Sequence, residues 1–295
     1  MENTREIVIS TDTNGDLPFS FIDEHKINLL PLGYTMDGVT RFTDDRTIDQ
    51  HEFYELMRAG KMPTTMQVNP EQSIDSFDAI AKSGKDVLHI AFSSGLSGSY
   101  NSAEMGAKEV RERYPEAKII VIDSLSASLG EGLMVYYAVK MRGEGKTIDE
   151  IAEWLNGHKQ NFIHYFTVED LNHLYRGGRV SKATAVVGTM LGIKPVMYVN
   201  EEGKLVPMGK VRGRKQSILN LVERMGDKME GMTNEVVFIS HGDCLDEAQF
   251  CADEIKKKYH IKSFMFNYVA PSIGAHSGPG TIAIFFLGKN RHEGK

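Results

Sequence analysis

Short apolar runs and polar, glycine-bearing breaks alternate along the first half of the chain. Ile7 to Ser10, Ile27 to Tyr34, Val87 to Phe92 and Lys118 to Ile122 read as strands, and the Val87 run as one buried on both faces. Between them the spacing is that of amphipathic helices. Phe53, Leu56 and Met57 share one face after a cap at Thr47-Ile48-Asp49, and Ile74 and Phe77 share another after Pro70-Glu71. Further helices are predicted from Tyr100 to about Arg113, from Leu129 to Met141, and from a Thr147 cap through Leu155. Met36-Asp37-Gly38-Val39 reads as a hairpin turn. PTTMQVNPEQ, bracketed by Pro63 and Pro70, reads as an irregular loop.

Near Asn161 the rhythm changes. Phe162 to Val168 reads as a strand, Glu169 to Tyr175 as a short helix, and Ala183 to Leu191 as an apolar helix ending at Gly192. Ile193 to Val199 and Leu205 to Val206 pair around an EEGK turn, and an amphipathic helix runs from Ile218 to Lys228. Strands at Val236 to Ser240 and Lys262 to Asn267 follow, then PSIGAHSGPGT as a glycine-rich loop and a last buried strand. The expected fold is α/β. An N-terminal parallel-sheet domain over residues 1–160 packs on a second α/β domain with a mixed sheet over residues 161–295, with a cleft between them.

Composition and charge narrow the function. At 295 residues two cores are expected, and a formal net charge of -6 tells against general nucleic-acid binding. The two cysteines, Cys244 and Cys251, suit neither a disulfide framework nor a zinc site. A reducing, cytoplasmic setting is expected, since MENTREIVISTD enters a strand without a basic-then-apolar leader and no run approaches a membrane span.

Three strand ends, at Asp12, Ser93 and Asp123, place polar groups where open α/β sheets bind ligands. The strongest of these is VLHIAFSSGLSGSYNSA, a strand, a Gly/Ser loop and a helix start. Its free amides, helix dipole and Ser93, Ser94, Ser97 and Ser99 hydroxyls suit a carboxylate or phosphate. Taken alone, Ser97 or Ser99 could as well be a plain N-cap, and Asp12 reads as a cap. His276 lies between glycines that keep bulk away from its ring. Arg212 could bind an anion, whereas Arg214 and Lys215 read as a solvated run. A serine-hydrolase triad can be written with Ser97, His276 and Asp12 or Asp123. GLSGS departs from the nucleophile elbow at Ser99, however, and no Walker loop, GxGxxG or HExxH occurs.

Seven blocks carry a resemblance across nearly the whole chain: STDTNGDLP, PTTMQVNP, SSGLSGSYNSA, VIDSLSASLGEGL, LYRGGRVS, the KVRGRK run and IGAHSGPGT. In order and spacing they resemble the DegV family of bacterial fatty-acid-binding proteins, some of which are lipid-carrying subunits of fatty acid kinase. The resemblance implies a long-chain fatty acid in an apolar tunnel, its carboxylate held by Thr65 and Ser97 with His276 close by and Ser93 and Ser94 in the same loop. It implies that Arg212 serves the kinase step and its partner, that neutral hydroxyls rather than a salt bridge hold the acid, and that the chain has no catalysis of its own. No cofactor or metal is expected, and transient membrane contact is compatible with that role. TSQPS, usual in the family, is here Thr65-Met66-Gln67-Val68-Asn69. The competing readings are a stand-alone serine hydrolase using Ser97 and His276, and a carrier of a different anion.

Overall fold

The computed structural model describes residues 5–187, 192–230 and 234–292. The first half contains β1 (Ile7–Asp12), α1 (Phe19–His25), β2 (Asn28–Leu30), β3 (Gly33–Met36), β4 (Val39–Phe42), α2 (Gln50–Arg58) and β5 (Thr64–Met66). It continues with α3 (Pro70–Lys82), β6 (Asp86–Ala91), α4 (Ser99–Arg113), β7 (Ile119–Asp123), α5 (Leu129–Gly143) and α6 (Ile148–His158). Strands β2-β1-β6-β7 form an all-parallel sheet, and β4-β3-β5 a small antiparallel one. Capping boxes at Asn69–Gln72 and Thr147–Glu150 fix the starts of α3 and α6.

Pro31 divides the run expected as a single strand from Ile27 to Tyr34. Its fixed φ and missing N–H end β2, and the chain resumes in the other sheet as β3. The β3–β4 turn uses Asp37 and Gly38, both at positive φ, as a tight hairpin requires. The segment between Pro63 and Pro70 is also more regular than its prolines suggest. Thr64–Met66 pairs with β3: Pro63 and Pro70 flank the paired residues rather than interrupt them, and the β-branched Thr64 and Thr65 suit an edge strand.

The second half contains β8 (Phe162–Thr167), α7 (Leu171–Arg176), α8 (Lys182–Val187), β9 (Ile193–Val199), β10 (Leu205–Arg212) and α9 (Arg214–Met229). After these come β11 (Val236–His241), α10 (Leu245–Lys258), β12 (Ser263–Tyr268), α11 (Pro271–Ser277) and β13 (Ile282–Leu287). Its sheet has the order β10-β9-β8-β13-β11-β12 and is mixed: β11 and β12 run parallel and the other pairs antiparallel. The apolar helix expected to Leu191 is seen as α8; the rest of that prediction lies outside the described residues. PSIGAHS is a helix with proline at its start rather than a loop, and the glycine-rich turn follows it.

Helix α5 joins the two sheets. It buries Leu129 to Val135 together with Ala138 and Val139, turns Lys140 and Arg142 outward only in its last turn, and packs against β1 and β6 on one side and β8, β11 and β13 on the other. Its glycines permit this closeness. A Cβ on Gly130 would lie 1.9 Å from the His164 ring, and one on Gly132 would lie 2.5 Å from the Gly15 carbonyl oxygen.

Buried carboxyl groups gather at the start of α5. Asp12 accepts from the amides of Asn14 and Phe92, at 3.0 and 2.8 Å, and so ties β1 to β6. Asp16 accepts from the Ala270 amide at 3.1 Å and from Ser128 Oγ, linking the two halves. Thr11 Oγ1 lies 2.9 Å from the Ile90 carbonyl and 2.6 Å from Glu131 Oε1. A hydroxyl has one proton, so if Thr11 serves the carbonyl, Glu131 must itself be protonated. Burial agrees: it raises Asp12 to about 7 and Asp16 to about 8, and lifts Glu131 well above the carboxylate range.

Two predictions follow from this packing. Gly130→Ala should destabilise the protein by roughly 1–3 kcal/mol or more in urea titration, the range for overpacking a filled core. The second concerns pH. From about pH 4 up to their raised values, the native carboxyls hold protons that the unfolded chain has released, so stability falls as pH rises. The buried His89 and His276, pushed down to about 3 and about 4, act in the opposite sense but only below about pH 6.5. Thermal denaturation from pH 6.5 to about 8.5 should therefore show a falling midpoint, with each released proton contributing about 1.4 kcal/mol per pH unit. Glu131→Gln should flatten that slope, and an unchanged slope would show that Glu131 is already ionised in the native state.

Candidate functional site

A cavity of about 170 Å³ lies between the two halves. Strand periodicity supplies its floor. On the face of the mixed sheet turned toward α5, Ser240, Ala283, Phe285, His164, Phe166 and Val199 point inward at alternate positions. Leu32, Phe92, Leu96 and Ala127 of the first half close it from the other side. The lining is apolar over most of its area with polar groups interspersed, and Thr65, Ser97, Arg179 and His276 meet at one end, an arrangement suited to an amphiphile.

That polar end is assembled from three segments distant in sequence. Thr65, on edge strand β5, lies with Oγ1 2.8 Å from His276 Nε2 in the last turn of α11. Ser97 precedes α4; its Oγ accepts from the Ser99 amide at 3.2 Å and lies 2.9 Å from Ser99 Oγ. Gln67 accepts from the Gly98 amide at 3.1 Å. The amides expected to be free at the start of α4 are thus taken by Gln67 and Ser97, and hydroxyls face the cavity instead.

Arg179 forms the lip. Its guanidinium donates to the carbonyls of Leu96, at 3.1 Å, and Gly177, with no carboxylate partner among the described residues. Burial, helped by the positive charge of Arg179, pushes the His276 imidazole down to about 4, so it is neutral at pH 7. Gly177 leaves room for the ring: a Cβ there would lie 2.2 Å from His276 Nδ1.

Thr65, Ser97 and His276 are thus brought to one cavity. Ser93 and Ser94 are not among its lining residues. The Ser93 hydroxyl donates to the Gly203 carbonyl at 2.9 Å and accepts from the Gly95 amide at 3.1 Å, which fastens the loop to the β9–β10 turn. Ser94 is exposed, with its amide donating to Asp123 at 3.1 Å. Arg212 ends β10 on the surface, away from the cavity and without a hydrogen-bond or ion-pair partner among the described residues. Arg214 departs from the solvated run expected of it. It is largely buried, held by Glu247 at 2.5 Å and Glu169 at 3.3 Å, and donates to the Gly280 carbonyl at 2.5 Å.

A hydrolase arrangement is not formed. Among the described residues Ser97 pairs with Ser99 rather than with His276, and His276 has no carboxylate partner. Away from the cavity His51, Glu55 and Asp243 bring ligand-type atoms within 4.8 Å of one another. Arg58 sits on both carboxylates, a cation where a metal would stand.

Four lining residues were missed in the sequence. Asn14 and Ser272 hydrogen-bond at 2.5 Å across the halves, and Arg179 belongs to LYRGGRVS, a block of the family resemblance that carried no role for this arginine. His164 is 1% exposed and neither ring nitrogen has a partner among the described residues. Leaving a buried polar group unpaired costs about 1–3 kcal/mol. Its signal was visible in FIHYFT as a histidine at an inward position of an apolar strand.

The family model described as "Uncharacterised protein, DegV family" matches residues 6–289. A DegV domain-containing protein of Clostridium perfringens is 41% identical over 289 residues, covering 97% of this chain and 99% of that protein. Among solved structures, DegV of Bacillus subtilis, described as a fatty acid binding protein, superposes with a TM-score of 0.83 at 28% identity, covering 97% of this chain and 100% of the other. A stearic acid-binding protein of Eubacterium ventriosum superposes with a TM-score of 0.87 at 25% identity, covering 95% and 98%.

The polar end has a direct electrostatic test. Followed by NMR, the His276 ring should titrate near pH 4, and Arg179→Gln should move that midpoint upward by removing the adjacent charge. A midpoint near the ordinary value of about 6.5 in the parent protein would mean the ring is solvated rather than enclosed.

Proposed function

This chain belongs to the DegV family, and from that membership we propose that it binds one long-chain fatty acid in the cavity and presents the carboxylate to a separate fatty acid kinase. The observation that carries the reading is an apolar cavity between two sheets with Thr65, Ser97 and His276 gathered at one end. Relatives of the same fold are described as binding fatty acids, stearic acid among them.

The hydrogen-bond chemistry suits a carboxylate. With His276 neutral and protonated on Nε2, the ring donates to Thr65 Oγ1, and the Thr65 hydroxyl proton is free for a ligand oxygen. With Ser99 donating to Ser97, the Ser97 proton is free in the same way. Arg179 adds positive potential at the lip without an acid of its own, which favours an anionic head group and, after phosphorylation, a more highly charged one. The protein supplies position, and the partner supplies ATP and the chemistry. Arg212, exposed and unpaired among the described residues, is the residue we assign to contact with that partner. Among the described residues no helix is long and apolar enough to cross a membrane. The exposed Met62 and Met66 beside Thr65 give transient membrane contact an apolar surface.

Lipid extracted from gently purified protein and weighed by mass spectrometry should show about one fatty acid per chain. Thr65→Ala and Ser97→Ala should each lower affinity roughly 5- to 30-fold, the loss of one or two hydrogen bonds to a charged acceptor. Arg212→Ala should keep the lipid and lose phosphoryl transfer when a fatty acid kinase catalytic subunit and ATP are added. Protein that arrives empty and takes up no added fatty acid would end the carrier reading. Normal transfer by Arg212→Ala would remove that residue from it.

A further inference from the structure

The floor of the cavity contains one group that a plain hydrocarbon chain does not explain. By register, His164 stands opposite Phe285 on β13, with Phe238 opposite Phe285 on β11 and Val199 beside it on β9. This row of the sheet is apolar except for the imidazole. The ring packs edge-on to Phe285 at 5.4 Å between centroids and presses against Gly130, whose missing side chain makes the space. Both nitrogens are buried without a partner among the described residues, although the residue borders the cavity. A leucine or phenylalanine would fill this position without burying polar atoms.

The position of His164 along the cavity matters as well. Thr281, just before β13, and Phe285 within it both line the cavity and are four residues apart, a separation of about 13 Å in extended chain. Thr281 is tied at 2.8 Å to the Gly278 carbonyl, in the turn that follows His276, so that end carries the head group. His164 lies at the Phe285 end.

Resting on the fatty-acid reading, we propose that His164 is a second recognition point, selecting a long-chain fatty acid that bears a hydroxyl group well down its chain. A neutral imidazole offers one donor and one acceptor, and a hydroxyl can meet either. A soft rotation about χ2 turns a ring nitrogen toward the cavity. A second carboxylate would gain no charge compensation here, because burial and the nearby Arg291 keep the ring neutral.

The test uses delipidated full-length protein and a series of hydroxystearic acids differing in hydroxyl position, each competed against stearic acid. One position should bind about tenfold more tightly than stearic acid and than its neighbours in the series. In His164→Phe that position should lose its advantage, each ratio being taken against stearic acid on the same variant. The wild-type series decides alone if the variant does not fold. A flat series, or a preference retained in His164→Phe, would overturn the proposal while leaving the carrier reading intact, with His164 meeting only an enclosed water. Failure of every acid, stearic acid included, would overturn both.

Discussion

The fold depends on burying the first half of one helix. A surface helix needs one apolar stripe, but α5 enters between two sheets and over Leu129–Val135 is buried on every side, with glycines where a backbone or a ring comes close. Because α5 contacts strands of both sheets, their spacing is set by its diameter rather than by loop contacts. The cavity is the space left where its first turn begins, beyond Ala127 and Ser128. The same constraint explains the raised carboxyls: groups that ionise freely at a strand end in water are enclosed at the start of α5, where ionisation is opposed by desolvation and, for Asp16 and Glu131, by neighbouring carboxylates.

At the polar end of the cavity the balance of charge is different. Thr65, Ser97 and a neutral His276 are uncharged hydrogen-bonding groups. Arg179 adds a positive charge that, among the described residues, is held by the carbonyls of Leu96 and Gly177 alone. Placed directly on an acid head, that charge would form a tight ion pair; placed at the lip, it raises the local potential and keeps His276 unprotonated. The hydroxyls can then fix the orientation of an anion while leaving part of it approachable.

The fold class was legible because alternation and helix spacing report burial, which is a local property of the sequence. The α5 segment and the FIHYFT strand could be read this way. Partners could not. The sequence does not show that Ser93 would be taken up by Gly203, that the amides before α4 would go to Gln67 and Ser99's neighbour Ser97, or that Thr65 would meet a histidine more than two hundred positions away. Prolines misled in both directions. Pro31 broke a run that looked continuous, while Pro63 and Pro70 bracketed a strand that looked like a loop. Proline removes a donor and fixes one torsion, and whether that ends a strand depends on whether the missing donor faces a neighbour.

The basic run illustrates the same limit at the level of single residues. Arg212 and Arg214 are two positions apart, with Gly213 at positive φ between them. The turn sends the first side chain to solvent and the second inward, onto Glu247, Glu169 and the Gly280 carbonyl. Arg214 thereby fixes the glycine turn that follows α11, the helix that carries His276. An exposed arginine on the outer strand and the imidazole at the cavity are thus joined by a short chain of backbone and the ion pairs of Arg214. A partner held on Arg212 would stand on rigid structure continuous with the head of the cavity, an advantage for a group transfer that depends on position. Charge density along the sequence could not distinguish the two arginines; only the turn at Gly213 does.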